Sequence, residues 1–191
     1  AVAALTAVVL PDIAMSASRS QTDERILSSK TVSGLQLKWV TETAGDVTAT
    51  PAVENGSVYA PDTAGYLYKF DAATGAIIWS RPIADYTGIP GDYATATPAI
   101  AGDALILGNN SGTFLGPGFG QSTQQPARVF AVNKHTGDPL WSTQVDSTTH
   151  SYVSSSVAVA DGKAIVGLSS NEELIAAYVP NAFWQWNFRG N

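Results

Sequence analysis

A chain of 191 residues with 45% apolar and only 14% charged side chains has the material for a core and is not a disordered polymer. Its net charge of −6, with no basic run, argues against nucleic acid and anionic membrane as partners. The absence of cysteine excludes disulfides, thiolate metal sites, cysteine catalysis and covalent haem attachment.

The first segment, AVAALTAVVL, stops at Pro11. It is too short to span a bilayer, and no other stretch is a membrane-span candidate. It reads as the tail of a signal peptide or as an opening strand, so residues 1–11 are set apart from residues 12–191. From Thr48 to Trp79 the chain reads TATPAVENGSVYAPDTAGYLYKFDAATGAIIW. A short strand (TPAVENG) meets a turn at Glu54-Asn55-Gly56, and a second strand (SVYAPD) follows. A turn with Gly65 leads to a third strand (YLYKFDA), and a fourth carries Trp79. Period-2 apolar spacing between Gly, Asn and Asp turns is the signature of antiparallel hairpins.

The unit then repeats. TATPAIAGDALILGNNSG begins at Thr95, and ARVFAVNKHTGDPLW ends at Trp141. A third copy begins with SSSVAVADGKAIVGLSSNEE at Ser154. Two copies carry Asp/Asn-x-x-Thr-Gly-x-x-x-Trp: Asp71, Thr74, Gly75, Trp79 and Asn133, Thr136, Gly137, Trp141. The polar first residue and the Gly suit a turn that needs positive φ. The Thr hydroxyl is placed to bond the loop backbone, and each Trp is expected to pack against the next unit. Four short antiparallel strands in a repeat of about 40 residues make a β-propeller blade. The fold class is therefore all-β, with about two and a half blades in this chain. That number cannot close a ring, so the rest of a propeller is expected as a partner, in the same polypeptide or in a companion chain.

Less regular segments remain. Residues 115–127 (LGPGFGQSTQQPA) form a Pro/Gly/Gln-rich insertion, expected on a rim. NEELIAAYV, from Asn171, suits a short helical turn. Asn55-Gly56-Ser57 and Asn109-Asn110-Ser111 are glycosylation sequons for a secreted protein of a eukaryotic host. His135 belongs to a Thr-Gly turn. His150 starts a strand that should point toward the propeller axis, where it would be a ligand contact. Asp85, Asp92 and Asp146 read as caps of connecting turns. No Gly-x-Ser-x-Gly elbow supports serine hydrolysis.

The blade pattern resembles the quinoprotein alcohol dehydrogenases, and among them the polyvinyl alcohol dehydrogenase-like group. SASRSQTDERILSSKTVSGLQLKW is similar to that group's opening segment, YTGIPGDYATATPAI to a connector, and AIVGLSSNEE with WNFRG to the stretch approaching cofactor and metal. The resemblance covers residues 12–191. It implies an eight-bladed ring, exported to the periplasm or secreted, binding pyrroloquinoline quinone (PQQ) near its axis with Ca²⁺. It implies oxidation of a small or polymeric alcohol, with an Asp base beyond residue 191. Position by position, it implies Glu172 and then Glu173 as Ca²⁺ ligands, with Thr48, Thr95, Ser155, Ser169 and Arg189 as cofactor contacts. Relatives often carry an acid where this chain has Thr48 or Thr50, and an Arg where it has Thr95 or Ala96. The adjacent Cys pair of many relatives and a Cys-x-x-Cys-His motif are both absent. The alternative is a non-catalytic propeller that binds protein or glycan, or one recruited for other small-molecule chemistry.

Overall fold

A computed structural model describes residues 3–7, 27–110, 125–148 and 151–170. Two antiparallel four-stranded sheets form its centre. The first runs β3 (Ala52–Glu54), β4 (Ser57–Pro61), β5 (Tyr66–Asp71) and β6 (Ile77–Pro82) in sequential order. The second repeats that order with β7 (Ala99–Ala101), β8 (Ala104–Gly108), β9 (Arg128–Asn133) and β10 (Pro139–Gln144). These are the two expected blades, and each strand follows the sequence prediction closely. A strand pair precedes them, β1 (Ala3–Ala7) against β2 (Trp39–Thr43). Two more pairs follow: β11 (Ser151–Tyr152) with β14 (Ser169–Ser170), and β12 (Ala158–Ala160) with β13 (Lys163–Ile165). The regular helix among the described residues is a 3-10 turn at Val32–Gly34 and one α-helical turn, α1 (Ala84–Thr87).

The middle strands are buried on both faces, so they read as continuous apolar runs. Alternate side chains point to opposite faces, and the core divides accordingly. Val58 and Ala60 of β4 join Tyr68, Phe70 and Trp39 on one face of the first blade. Tyr59 and Leu67 face the other way and meet Trp79, Tyr86, Leu105, Leu107, Phe130 and Val132 between the two blades. Ile106, Val129 and Ala131 leave the far face of the second blade to meet Val153 and Val157. A partly buried ion pair, Lys134 with Glu54, also crosses from the second blade to the first.

The Asn55-Gly56 turn has φ of 46° and 71°, and Asp161-Gly162 has 50° and 70°. Two successive positive φ values make type I′ turns, whose twist matches the flanking strands.

The repeated Thr-Gly phrase builds the same lock twice. The Asp71 carboxylate accepts from the Ala73 and Thr74 amides and the Thr74 hydroxyl, while the Gly75 amide donates to Asp71 O. In the second blade Asn133 Oδ1 accepts from the His135 and Thr136 amides, and the Gly137 amide donates to Asn133 O. Each Gly lies under the Trp ring of the preceding unit. A methyl group on Gly75 would sit 2.6 Å from the Trp39 ring, and one on Gly137 would sit 3.1 Å from the Trp79 ring. Trp79 is architecture, as expected, and so is Trp39, whereas Trp141 is 42% exposed among the described residues.

The three residues between Gly and Trp also have a reason. The pairing register slips between Lys69 and Phe70, and again between Pro139 and Trp141. Ile78 and Leu140 are therefore bulge residues, and both are exposed. Without the extra residue each Trp would fall on the opposite face of its strand.

Candidate functional site

The starts of the innermost strands converge. Thr48-Ala49-Thr50-Pro51 leads into β3, Thr95-Ala96-Thr97-Pro98 into β7, and Ser154-Ser155-Ser156-Val157 into β12. Together they line a cleft of about 630 Å³. Its wall is hydroxyls over small apolar residues, completed by Ile100 and Val159, and it carries no charged side chain among the described residues. The cleft lies on the inner edge of the sheets, where a propeller places its axis.

Three residues expected from the sequence, Thr48, Thr95 and Ser155, meet in this cleft. Their hydroxyls are not equivalent. Ser155 Oγ donates to Gly167 O at 3.1 Å and accepts from the Gly167 amide at 3.0 Å. Its only proton is thus spent inside its own unit. Counting back from Ala52, Ala99 and Ala158, the positions matching Thr48 and Thr95 lead to Ser154, one residue earlier than the sequence reading. Ser154 Oγ lies 3.2 Å from Ser169 Oγ, so Ser169 supports the wall without lining it. Glu172, Glu173, Arg189 and His150 lie outside the described residues, as does most of the 115–127 insertion. Among the described residues no three His, Asp or Glu side chains are grouped as metal ligands.

Behind the wall, each blade clasps its incoming connector with a buried polar group. In the first blade, Asp62 accepts from the Gly45 amide, the Tyr66 amide and the Tyr68 hydroxyl at 2.8–2.9 Å. In the second, acid and partner change places. Asn109 stands at the position of Asp62, and its Nδ2 donates to Asp92 Oδ2 at 2.9 Å while its Oδ1 accepts from the Arg128 amide at 2.7 Å. Asp92 is therefore more than the turn cap expected for it: it is 1% exposed and tied to the blade. Burial pushes its carboxyl above the ordinary value, against the opposing effect of bonds from Asn109, Thr87 and the Tyr93 amide. Asp146, by contrast, does cap its turn, accepting from the Thr148 amide and hydroxyl. His135 is exposed in its turn, 3.1 Å from Asp103. The two sequons differ as well. Asn55 is exposed on its turn, whereas Asn109 is fully buried and hydrogen-bonded, so the folded protein cannot carry a glycan there.

This clasp carries a stability prediction. Asn109→Ala takes one donor from a buried carboxylate that keeps the Tyr93 amide, and takes the acceptor from the Arg128 amide, a loss of about 3 kcal/mol. A protonated carboxyl needs the Asn109 N–H less than a carboxylate does, and losing it raises the folded pKa of Asp92 further. A raised folded pKa confers stability below the unfolded value that is lost as pH rises through the folded one. The deficit of the variant will therefore be larger at neutral pH than near pH 4. Urea denaturation at the two pH values measures it, and an equal deficit at both would remove the charge from the explanation.

Comparison with known proteins agrees with the blade architecture. Residues 33–188 match the PQQ_2 family model, described as outer membrane protein assembly factor BamB. The chain belongs to the PQQ_2 family. It is 30% identical to a polyvinylalcohol dehydrogenase of Sphingopyxis sp. (strain 113P3) over 143 residues, which is 74% of this chain and 20% of that protein. Its fold resembles that of BamB from Moraxella catarrhalis, with a TM-score of 0.50 and 19% identity, over 69% of this chain and 34% of that one. The quinohemoprotein alcohol dehydrogenase of Comamonas testosteroni gives a TM-score of 0.48 at 20% identity, over 60% of this chain and 17% of that one. This PQQ_2 chain thus spans about a fifth of the dehydrogenase and about a third of the BamB structure. The all-β propeller fold and the family resemblance read from the sequence are both borne out. No helix among the described residues is long and apolar enough to cross a membrane.

The cleft wall fits one part of what a quinone cofactor needs. PQQ is rich in carbonyl and carboxylate oxygens, which hydroxyl donors suit. The described wall supplies those donors and small residues that admit a flat ring system. It supplies no counter-charge.

Proposed function

We propose that this chain is the N-terminal part of an eight-bladed, PQQ-dependent oxidoreductase acting on a small or polymeric alcohol, secreted or periplasmic. The observation that carries the reading is the convergence of three equivalent strand starts on one hydroxyl-lined cleft, in a chain 30% identical to a polyvinylalcohol dehydrogenase. Thr48, Thr95 and Ser154 would hold the cofactor's oxygen-rich edge, and Ser169 would steady Ser154. Glu172 and Glu173 are the proposed Ca²⁺ ligands, and Arg189 is the proposed counter-charge. When bound, PQQ supplies a two-electron hydride acceptor. Ala49, Ala96 and Val157, all buried, line the cleft beside these hydroxyls. The substrate's hydroxyl proton requires a carboxylate base, proposed to lie beyond residue 191.

A second reading is favoured by one observation. The described wall is neutral, which also suits a non-catalytic propeller that binds a protein or glycan. Alcohol-dependent dye reduction by the full-length protein, loaded with PQQ and Ca²⁺, separates the two. The oxidoreductase reading expects turnover that disappears in Glu172→Gln. Absence of turnover with a panel of primary, secondary and polymeric alcohols would favour the binding propeller.

A further inference from the structure

Thr95 differs from the other cleft hydroxyls in receiving a hydrogen bond from a buried amide side chain behind the wall. Asn110 Nδ2 donates to Thr95 Oγ1 at 3.1 Å. Asn110 is 7% exposed, and its backbone amide is anchored on Tyr93 O at 2.8 Å. Its Oδ1 is buried with no hydrogen-bond partner among the described residues. The reverse amide orientation would instead strand a buried N–H₂ group, a rarer and costlier orphan than a carbonyl. Because Thr95 Oγ1 accepts from Asn110, its own proton is left to donate elsewhere, and the residue lines the cleft.

Resting on the quinone reading above, we propose that Asn110 is a positioning residue that makes Thr95 a hydrogen-bond donor to a carbonyl or carboxylate oxygen of the cleft ligand. Ser155, with its proton spent on Gly167, cannot serve in that way, and Ser154 shares its hydroxyl with Ser169. Thr95 is thus the polarised member of the wall. A ligand that offers only donors gains nothing from it.

The test is equilibrium titration of the full-length protein with PQQ in the presence of Ca²⁺. A hydrogen bond to a charged oxygen changes Kd by roughly ten- to hundredfold. Thr95→Val will weaken binding by that factor, and Thr95→Ser will restore most of it. Asn110→Ala will weaken binding about fivefold, on the scale of one neutral bond. Asn110→Asp keeps the shape but inverts the bond, since a carboxylate accepts the Thr95 proton. It will therefore bind more weakly than Asn110→Ala. In a Thr95→Val background both Asn110 substitutions will have no further effect, whereas simple charge repulsion by Asp would persist. A readout free of ligand accompanies this: slowed exchange of the Asn110 side-chain amide protons, kept in Thr95→Ser and lost in Thr95→Val. Wild-type-like binding by both Asn110 variants, or further deficits from them in the Thr95→Val background, would overturn the assignment while leaving the quinone reading intact. Failure of the wild type to take up PQQ would overturn the quinone reading itself, and this assignment with it.

Discussion

Gly75→Ala will lower the unfolding free energy by about 3–4 kcal/mol, while Gly56→Ala will cost only about 1–2 kcal/mol. Both glycines have positive φ, 76° and 71°, so both substitutions meet the same left-handed backbone penalty. They differ in what surrounds the new methyl. At Gly56 nothing lies within 4 Å. At Gly75 the methyl would fall 2.6 Å from the Trp39 ring and 2.8 Å from Thr41 Oγ1. Trp39 cannot simply swing away, because its Nε1 donates to Ala72 O at 3.0 Å and Thr41 Oγ1 donates to Gly75 O at 2.6 Å. The difference between the two variants therefore isolates the Trp-on-Gly lock from the turn itself. Chemical denaturation of both measures it, and equal losses would mean that the lock contributes nothing beyond φ.

Phe130→Ala will cost about 3–5 kcal/mol, the range for emptying a fully buried aromatic site. Phe130 is fully buried in β9 and stacks on Tyr86 with ring centroids 5.4 Å apart. Tyr86 cannot follow into the void, since its hydroxyl donates to Gly137 O at 2.7 Å. The cavity would open between the two blades, so the loss reports on blade-to-blade packing rather than on one sheet. Phe130→Leu, which keeps most of the volume, will cost under about 1.5 kcal/mol. Denaturation midpoints at unchanged slope distinguish these outcomes. A small loss in Phe130→Ala would show that the blades re-pack freely.

The parts of this architecture that are legible in the sequence are local. An Asn-Gly hairpin, an Asp-x-x-Thr-Gly turn and alternating apolar strands each encode their conformation within a few residues, and each forms where expected. Repetition does the rest, because two copies of one phrase constrain each other. Trp39 is a third copy that the pattern conceals. Its strand lacks the preceding Thr-Gly turn, and only WVT against WSR and WST hints at the match. The one-residue offset between Ser155 and Ser154 is unreadable for a different reason. Thr-Ala-Thr marks its own register, whereas Ser-Ser-Ser does not, and the deciding bonds run to Gly167 and Ser169. The exchange of roles between Asp62 with Gly45 and Asn109 with Asp92 is equally hidden, since 17 positions separate each pair. Asn110 reads as half of a sequon until the fold sets it against Thr95.

The most direct test of the hydroxyl-lined cleft as a cofactor site is equilibrium dialysis of the full-length protein against PQQ and Ca²⁺, followed by absorption of the retained quinone. Retention of one equivalent per chain, released on Thr95→Val with Thr48→Val, is the expected result. No retention by the wild type, or full retention by the double variant, would contradict it.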